Sequence, residues 1–152
     1  MEKNNNLKLN FEIIPAGAWG YNLRTQFSKK TWDFIRRDAY SRANNKCMIC
    51  NRKVSRLEAH ERWDFNKQTK VQKLVDIIAV CSTCHRVIHI GRTQLLNMED
   101  KAIIHFKKVN NCDYSTYITS LKLANEKNRE LSNIYEWSLD LSYLKKYIEN
   151  NN

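Results

Sequence analysis

Two cysteine pairs, each with two residues between its members, constrain this chain more than any other feature. Cys47 and Cys50 form the first pair, and Cys81 and Cys84 form the second. The two-residue gap lets both thiolates of a pair bind one ion, and four thiolates complete a closed tetrahedral site that is typical of structural zinc. We therefore predict one structural Zn²⁺. The alternatives are redox dithiols or free buried cysteines, although no thioredoxin-like βαβ pattern surrounds either pair.

The segment between the two pairs is typical of a β-hairpin. Residues 57–65 alternate loosely, residues 71–80 are rich in Val and Ile, and a short polar stretch separates them. A short helix from Ser82 to Ile90, ending at Gly91, is predicted to follow. A zinc ion bound by both pairs would then hold the two ends of the hairpin together.

The remainder of the chain is predicted to be helical and defines an α+β fold class. Helices are predicted at 31–43, capped by Thr31, and at 97–109, about 113–133 and 138–149. Only three Gly and one Pro disfavour a loop-rich all-β fold. We predict an N-terminal arm (1–20), a zinc-bound core (21–110) and a C-terminal helical extension (111–152) packed on that core.

The charge balance favours a polyanionic partner. Lys and Arg number 26 against 16 acidic residues, a formal net charge of +10. Such an excess draws a protein towards polyanions, of which nucleic acid is the commonest, although solubility alone is the plainer explanation. The chain has no apolar signal segment and no apolar run near the roughly 18 residues of a membrane helix. We expect a cytoplasmic protein without membrane association.

Three histidines form a candidate open metal site. His85 and His89 are four residues apart on a predicted helix, so they share a face and can hold one ion. His60 lies within the first predicted strand and can reach the same ion if the hairpin packs on the helix. Three imidazoles leave coordination positions free, as in a catalytic metal site. Each histidine alone would more often be a core or surface residue, and His105 and Cys112 are interpreted in that way.

These motifs together resemble those of the HNH endonucleases over about residues 31–91. The matching residues are Cys47-x-x-Cys50, Glu58-Ala59-His60-Glu61 and Val80-Cys81-x-x-Cys84-His85-x-x-x-His89. The resemblance implies a ββα-metal unit that holds a divalent ion (Mg²⁺, Mn²⁺, Zn²⁺ or Ni²⁺) and hydrolyses a phosphodiester with its help. By position it implies that His60, His85 and His89 are the ligands of that ion.

The chain departs from the family pattern at two positions. Glu61 stands where the family usually has the histidine that activates water, and Asp76 lies near the position of the central Asn. A carboxylate can act as a general base, so Glu61 is the predicted base. Strict alternation along a strand would, however, turn Glu61 away from a metal that His60 faces. Glu58 matches a family position that usually braces a nearby basic residue.

A basic cluster precedes the first metal-binding strand and is predicted to bind phosphates. Its members are Arg36, Arg37, Arg42, Lys46, Arg52, Lys53 and Arg56, with Arg86 beside the histidines. The alternative is a solvated helix face. The sequence thus predicts a metal-dependent endonuclease that cleaves DNA, and the alternative is a catalytically inactive, zinc-stabilised module that binds nucleic acid or protein. The C-terminal helices are candidates for a homodimer or protein interface.

Overall fold

A three-stranded sheet organises the residues that the computed structural model describes, which are 7–19 and 23–149. Strand β1 spans Glu58–Asn66 and pairs antiparallel with β2, Val71–Val80, so the predicted hairpin is confirmed. Strand β3, Ser138–Asp140, pairs parallel with the first residues of β2. Because β2 lies between the other two strands, β1 is an edge strand of the sheet.

Helices surround this sheet, and the fold class is α+β. The α-helices of the described residues are α1 (Leu23–Gln26), α2 (Lys29–Ala43), α3 (Ser82–Ile88), α4 (Ile90–Leu95), α5 (Glu99–Asn110), α6 (Tyr114–Leu131) and α7 (Lys145–Glu149). Two short 3-10 helices span Ala16–Ala18 and Ser142–Leu144. None of the helices in the described part of the chain is both long and apolar enough to cross a membrane.

The end of β2 is buried on both faces, which explains its continuous apolar run. Ile77 and Ala79 face one hydrophobic cluster, and Ile78 and Val80 face the other. The first cluster also contains Leu23, Trp32, Ile35, Ala39, Leu74, Leu144 and Tyr147. The second also contains Leu9, Phe11, Val87, Ile88, Phe106 and Tyr117. The sheet is therefore packed between α2 with the C-terminal segment on one side and α3, α5, α6 and the N-terminal segment on the other.

Two helix boundaries differ from the sequence prediction. Helix α2 begins at Lys29 because the hydroxyl of Ser28, rather than that of Thr31, caps it by accepting a hydrogen bond from the Thr31 amide. The predicted end at Gly91 is also wrong. Helix α3 ends at Ile88, and Gly91 lies inside α4. The hydroxyl of Thr93 donates to the carbonyl oxygen of Arg86 at 2.6 Å and so stabilises the bend between the two helices.

The predicted helix over 138–149 is wrong in its first half. Ser138–Asp140 form β3, and the side chain of Asp140 accepts hydrogen bonds from the amide and hydroxyl of Ser142, which starts the following 3-10 turn. The apolar pattern of this segment fits a helix, but pairing with the free edge of β2 overrides local helix propensity. Its buried residues, Leu144 and Tyr147, still pack on the sheet.

Candidate functional site

The four predicted zinc ligands lie together. The sulfur atoms of Cys47, Cys50, Cys81 and Cys84 are all within 4.8 Å of one another. Cys50 is half-buried and the other three are buried. The amides of Cys50 and Cys84 donate to the sulfurs of Cys47 and Cys81, at 3.5 and 3.4 Å. Four convergent thiols with amide donors to their sulfurs can hold one zinc ion.

The local backbone explains how each pair is presented. In the first pair the chain reverses at Asn51, whose left-handed conformation lets its amide donate to the Cys47 carbonyl at 2.8 Å. In the second pair Cys81 is the N-cap of α3, so Cys84 lies in the first turn of that helix. The amide of Met48 donates to the Ala79 carbonyl at 2.9 Å and so joins the first pair to the end of β2.

Sequence reasoning missed a contact between His105 and this cluster. The Nε2 atom of His105, on α5, is 3.1 Å from the sulfur of Cys84. A hydrogen bond from Cys84 lowers the pKa of the Cys47 thiol to about 4, while the pKa of Cys84 is raised, so the cluster favours a thiolate. Packing of α5 against α3 creates the contact between His105 and Cys84, and no local sequence pattern predicts it.

The three predicted histidine ligands also converge. One ring nitrogen from each of His60, His85 and His89 lies within 4.8 Å of the others. The Nε2 atoms of His85 and His89 are 3.1 Å apart. His60 comes from β1, His85 from α3, and His89 from the bend between α3 and α4. Packing of α3 on the hairpin therefore brings the three imidazoles together.

The surroundings of the three histidines suit a metal-ligand role. The Nδ1 atom of His85 is 2.8 Å from Oε1 of Glu58, and a hydrogen bond donated there leaves Nε2 free as a ligand. Burial lowers the pKa of His85, and burial with the neighbouring His85 lowers that of His89 to about 4. His60 is 3% exposed, and its Nε2 has no hydrogen-bond partner among the described residues. This buried, unsatisfied nitrogen fits a metal-ligand role.

An acidic residue that the sequence analysis did not single out lies beside His60. Oε1 of Glu12 is 3.1 Å from Nε2 of His60, and Oε2 of Glu12 is 3.5 Å from Nε of Arg62. Glu12 and His60 are 48 positions apart in the chain, so no spacing pattern connects them. The tertiary position of the N-terminal segment decides this contact.

The predicted base, Glu61, faces the opposite side of the sheet from His60. His60 pairs with Ile78 and Glu61 pairs with Ile77, which belong to different core clusters. The Glu61 carboxylate accepts hydrogen bonds from the Leu23 amide at 3.0 Å and from the Trp63 indole at 3.3 Å. Burial raises its pKa above the ordinary glutamate value. Glu61 and the three histidines nevertheless line one cavity of about 330 Å³. Residues from both faces of the sheet line this cavity, which lies at the edge strand β1.

A larger basic groove adjoins this cavity. It has a volume of about 670 Å³, and both cavities are lined by Arg24 and Trp32. The remaining basic side chains along the groove are Lys29, Arg36 and Arg56. Arg92 lies at the histidine end. Arg92 follows His89 by three residues on the next helical turn, a spacing that the sequence analysis overlooked, whereas Arg24 is placed only by tertiary packing.

The predicted basic cluster does not form one surface. Arg36 and Arg56 line the groove, where Arg36 also pairs with Asp33 at 2.8 Å. Arg42 instead pairs with Asp38 at 3.0 Å and donates to the Ile77 carbonyl at 2.8 Å, so it braces α2 against β2.

The other predicted basic residues lie outside the groove. Arg37 is exposed on α2, and Arg86 is exposed on α3. Lys46 and Lys53 pair through their backbones beside the first cysteine pair, and Arg52 lines a separate cavity with His105.

Asp76 anchors the C-terminal segment. Its carboxylate accepts from the Tyr143 hydroxyl at 3.0 Å and from the Ile77 amide at 2.8 Å. Tyr143 packs against the hydrophobic cluster that contains Ile77 rather than on the histidine side of the sheet.

Comparison of the chain with protein-family models, curated proteins and solved structures gives no match. The geometry of the two clusters and of the groove therefore carries the functional argument.

Proposed function

We propose that this protein is a metal-dependent endonuclease of the HNH type that cleaves DNA. The observation that carries the proposal is the convergence of His60, His85 and His89 in a cavity that adjoins a basic groove. A hydrolytic centre needs free coordination positions, and three imidazoles leave them. A phosphodiester also has to be brought to that centre, and the groove supplies cations for that task.

The donor set fits a divalent ion of the first transition series or magnesium. Neutral imidazoles suit Zn²⁺, Ni²⁺ and Mn²⁺ better than Mg²⁺, so we expect activity in the transition metals first. A divalent ion bound there would stabilise the negative charge that develops on the leaving oxygen of the phosphodiester. The hydrogen bond between His85 and Glu58 fixes the orientation of one ligand ring before any ion binds.

Cations in the groove and in the histidine cavity support a nucleic-acid substrate. Arg36 and Arg56 line the groove, Arg92 lines the histidine cavity, and Arg24 lines both. These side chains would contact successive phosphates and hold one phosphodiester next to the histidines. Contacts of this kind position a strand without reading its sequence, so we expect cleavage with little sequence preference.

Glu61 is the proposed proton acceptor for the attacking water. It lines the same cavity as the ligands, and it lies on the edge strand β1. Its two present hydrogen bonds, from Leu23 and Trp63, hold the carboxylate in place. Those same bonds favour the alternative function, a binding module without catalysis, because both oxygens are already engaged.

The four cysteines have a separate, structural part in the proposal. They would hold one zinc ion that ties the first cysteine pair to the N-terminus of α3. Since His85 and His89 follow on from that helix start, the zinc would fix two of the three histidines relative to β1. If the cysteines were redox-active or free thiols, the spacing of the two cysteine pairs would have no such structural role.

A plasmid-nicking assay tests the proposal. The zinc-loaded protein is incubated with supercoiled DNA in Mn²⁺, Ni²⁺, Zn²⁺ or Mg²⁺, with a chelator as the negative control. We expect nicking by the wild type, none by His89→Ala, and wild-type rates for Glu126→Ala, which alters an exposed residue of α6. A single-stranded RNA substrate in parallel distinguishes DNA from RNA.

Two results would contradict the proposal in different ways. If the wild type cleaves neither nucleic acid in any metal but retards DNA in a gel, the binding-module alternative holds. If His89→Ala cleaves as well as the wild type, the histidines are not the catalytic centre, whatever the activity.

A further inference from the structure

The ligand atoms of the three histidines all lie within 4.8 Å of one another, and Glu12 lies beside this group, against His60. Its Oε1 atom is 3.1 Å from Nε2 of His60, yet that nitrogen has no hydrogen-bond partner among the described residues. The two atoms are close without the alignment of a donor and an acceptor. Two ligand atoms that share a tetrahedral ion at 2.0–2.1 Å are about 3.3 Å apart, so the contact suits two lone pairs directed at one ion.

The same separation recurs on the other side of the cluster. The Nε2 atoms of His85 and His89 are also 3.1 Å apart. The cluster therefore contains two close pairs of ligand atoms, one from Glu12 with His60 and one from His85 with His89. A centre built of these four side chains has one anionic oxygen and three neutral nitrogens.

The segment that carries Glu12 is held at that residue and at the residues before it. The Glu12 amide donates to the carbonyl oxygen of Ile88, at the end of α3, at 3.0 Å. Before it, Phe11 is buried and its ring stacks on that of Phe106 at 5.2 Å between centroids. Further back, Asn110 donates to the Leu9 carbonyl and accepts from the Leu9 amide at 2.8 and 3.0 Å. The carboxylate is thus placed before an ion binds, which reduces the entropy lost on binding.

We propose that Glu12 is the fourth protein ligand of the metal centre formed by His60, His85 and His89. The inference rests on the metal site of the proposed function and adds a ligand that the histidine motif lacks. Four protein ligands would saturate a tetrahedral Zn²⁺, whereas a six-coordinate ion such as Mn²⁺ or Ni²⁺ would keep two positions free. A six-coordinate ion therefore binds substrate without a change of coordination number, whereas Zn²⁺ has to become five-coordinate to do so.

Binding of Mn²⁺ to the zinc-loaded protein tests the inference without reference to activity. Isothermal titration calorimetry measures the affinity and stoichiometry of Mn²⁺, and thermal melting with and without Mn²⁺ measures the same linkage independently. We expect one Mn²⁺ per wild-type chain. Glu12→Gln keeps the shape of the side chain but removes its charge, and we expect it to weaken Mn²⁺ binding by at least about 10-fold, the lower bound for loss of an outer-sphere partner.

Two further variants separate ligation from other effects of the substitution. Glu126→Gln removes an exposed glutamate of α6 and is the matched control. Arg62→Gln removes the other partner of Glu12 and leaves its carboxylate intact. Both should bind Mn²⁺ like the wild type. Because each variant is compared with its own metal-free melting temperature, general destabilisation does not mimic the loss of a ligand.

Three outcomes would overturn the inference. They are a Glu12→Gln protein that binds Mn²⁺ within two-fold of the wild type, an Arg62→Gln protein that reproduces the whole loss, and a wild type that binds no Mn²⁺. Failure of the nuclease proposal is a separate result. If the wild type binds one Mn²⁺, Glu12→Gln does not, and neither cleaves DNA, the ligand assignment stands and the proposed reaction does not.

Discussion

The two clusters of metal-ligating side chains use the same helix but differ in chemistry and exposure. The four cysteines, two of which lie at the start of α3, are mostly buried and together could hold a zinc ion. The histidines at the end of α3 face a cavity and leave a donor set with room for other groups. A closed site of soft thiolate ligands suits a structural metal, and an open site of harder imidazole ligands suits a reactive one. The short helix α3 contributes ligands to both sites.

Breaking the cysteine cluster should have the largest effect. In Cys81→Ser one thiolate is lost from a set whose zinc, in small zinc domains, contributes about 10–16 kcal/mol of apparent binding free energy. A domain is stabilised in total by only about 5–15 kcal/mol, so we expect the variant to be largely unfolded. Circular dichroism and zinc analysis check this. Unchanged melting and zinc content would show that the cysteines hold no structural ion.

Breaking the histidine cluster should leave the fold intact and abolish the second metal. We expect His89→Ala to lower the melting temperature by less than about 4 °C, equivalent to about 1 kcal/mol for a domain of this size. It should keep its cysteine-bound zinc and lose Mn²⁺ binding. Metal analysis after dialysis against Mn²⁺ measures both. A variant that loses both metals together would show that the clusters are not independent.

Glu61→Gln tests whether, in the histidine site, proton transfer can be separated from metal binding. A neutral amide no longer accepts a proton as a base, and its single oxygen can accept from the Leu23 amide or from the Trp63 indole but not from both. We expect an unchanged Mn²⁺ affinity and a rate of DNA nicking reduced by about 10²–10⁴-fold. A reduction of less than five-fold would remove Glu61 from the proton-transfer role.

His105→Ala tests whether the closed site depends on its neighbour. Loss of the contact with the Cys84 sulfur should weaken zinc binding by about 10–100-fold, as for other groups that contact metal ligands. Competition with a chromophoric chelator measures this affinity, and Mn²⁺ binding at the histidines should not change. Zinc affinity equal to that of the wild type would make His105 a packing residue only.

The smallest expected effect concerns the groove. Each phosphate contact contributes about 0.9 to the slope of log K against log salt, so Arg36→Ala with Arg56→Ala should reduce that slope by about 2. The control is Lys122→Ala with Arg129→Ala, which removes equal charge from the exposed face of α6. Fluorescence anisotropy on a DNA duplex from 50 to 300 mM salt, which is about the range over which such binding changes most, measures both. Equal slopes for the two double variants would mean that net charge, rather than the groove, binds DNA.

Local pattern predicted the parts of the molecule that depend on nearby residues. Three such features are the two-residue gaps of the cysteine pairs, the alternation along the strands, and the spacing of His85 and His89. Each of them depends on the residue spacing within a single structural element. The hairpin, the convergence of the cysteines and that of the histidines are confirmed on this basis. Local pattern failed at Gly91 and over 138–149, where a hydrogen bond from Thr93 and pairing with β2 outweigh local propensity.

The sequence by itself determined which donor atoms this protein has and which of them share a strand or a helix turn. Only the tertiary structure decided what surrounds them. It placed Glu12 against His60, His105 against Cys84 and Arg24 beside the histidine cavity, and it used Arg42 as a brace. The physical reason is that these contacts join segments that are far apart in the chain. They form because buried apolar side chains such as Phe11 and Phe106 pack together, and this hydrophobic driving force is non-directional. The spacing of neighbouring residues therefore does not show which distant segments will meet.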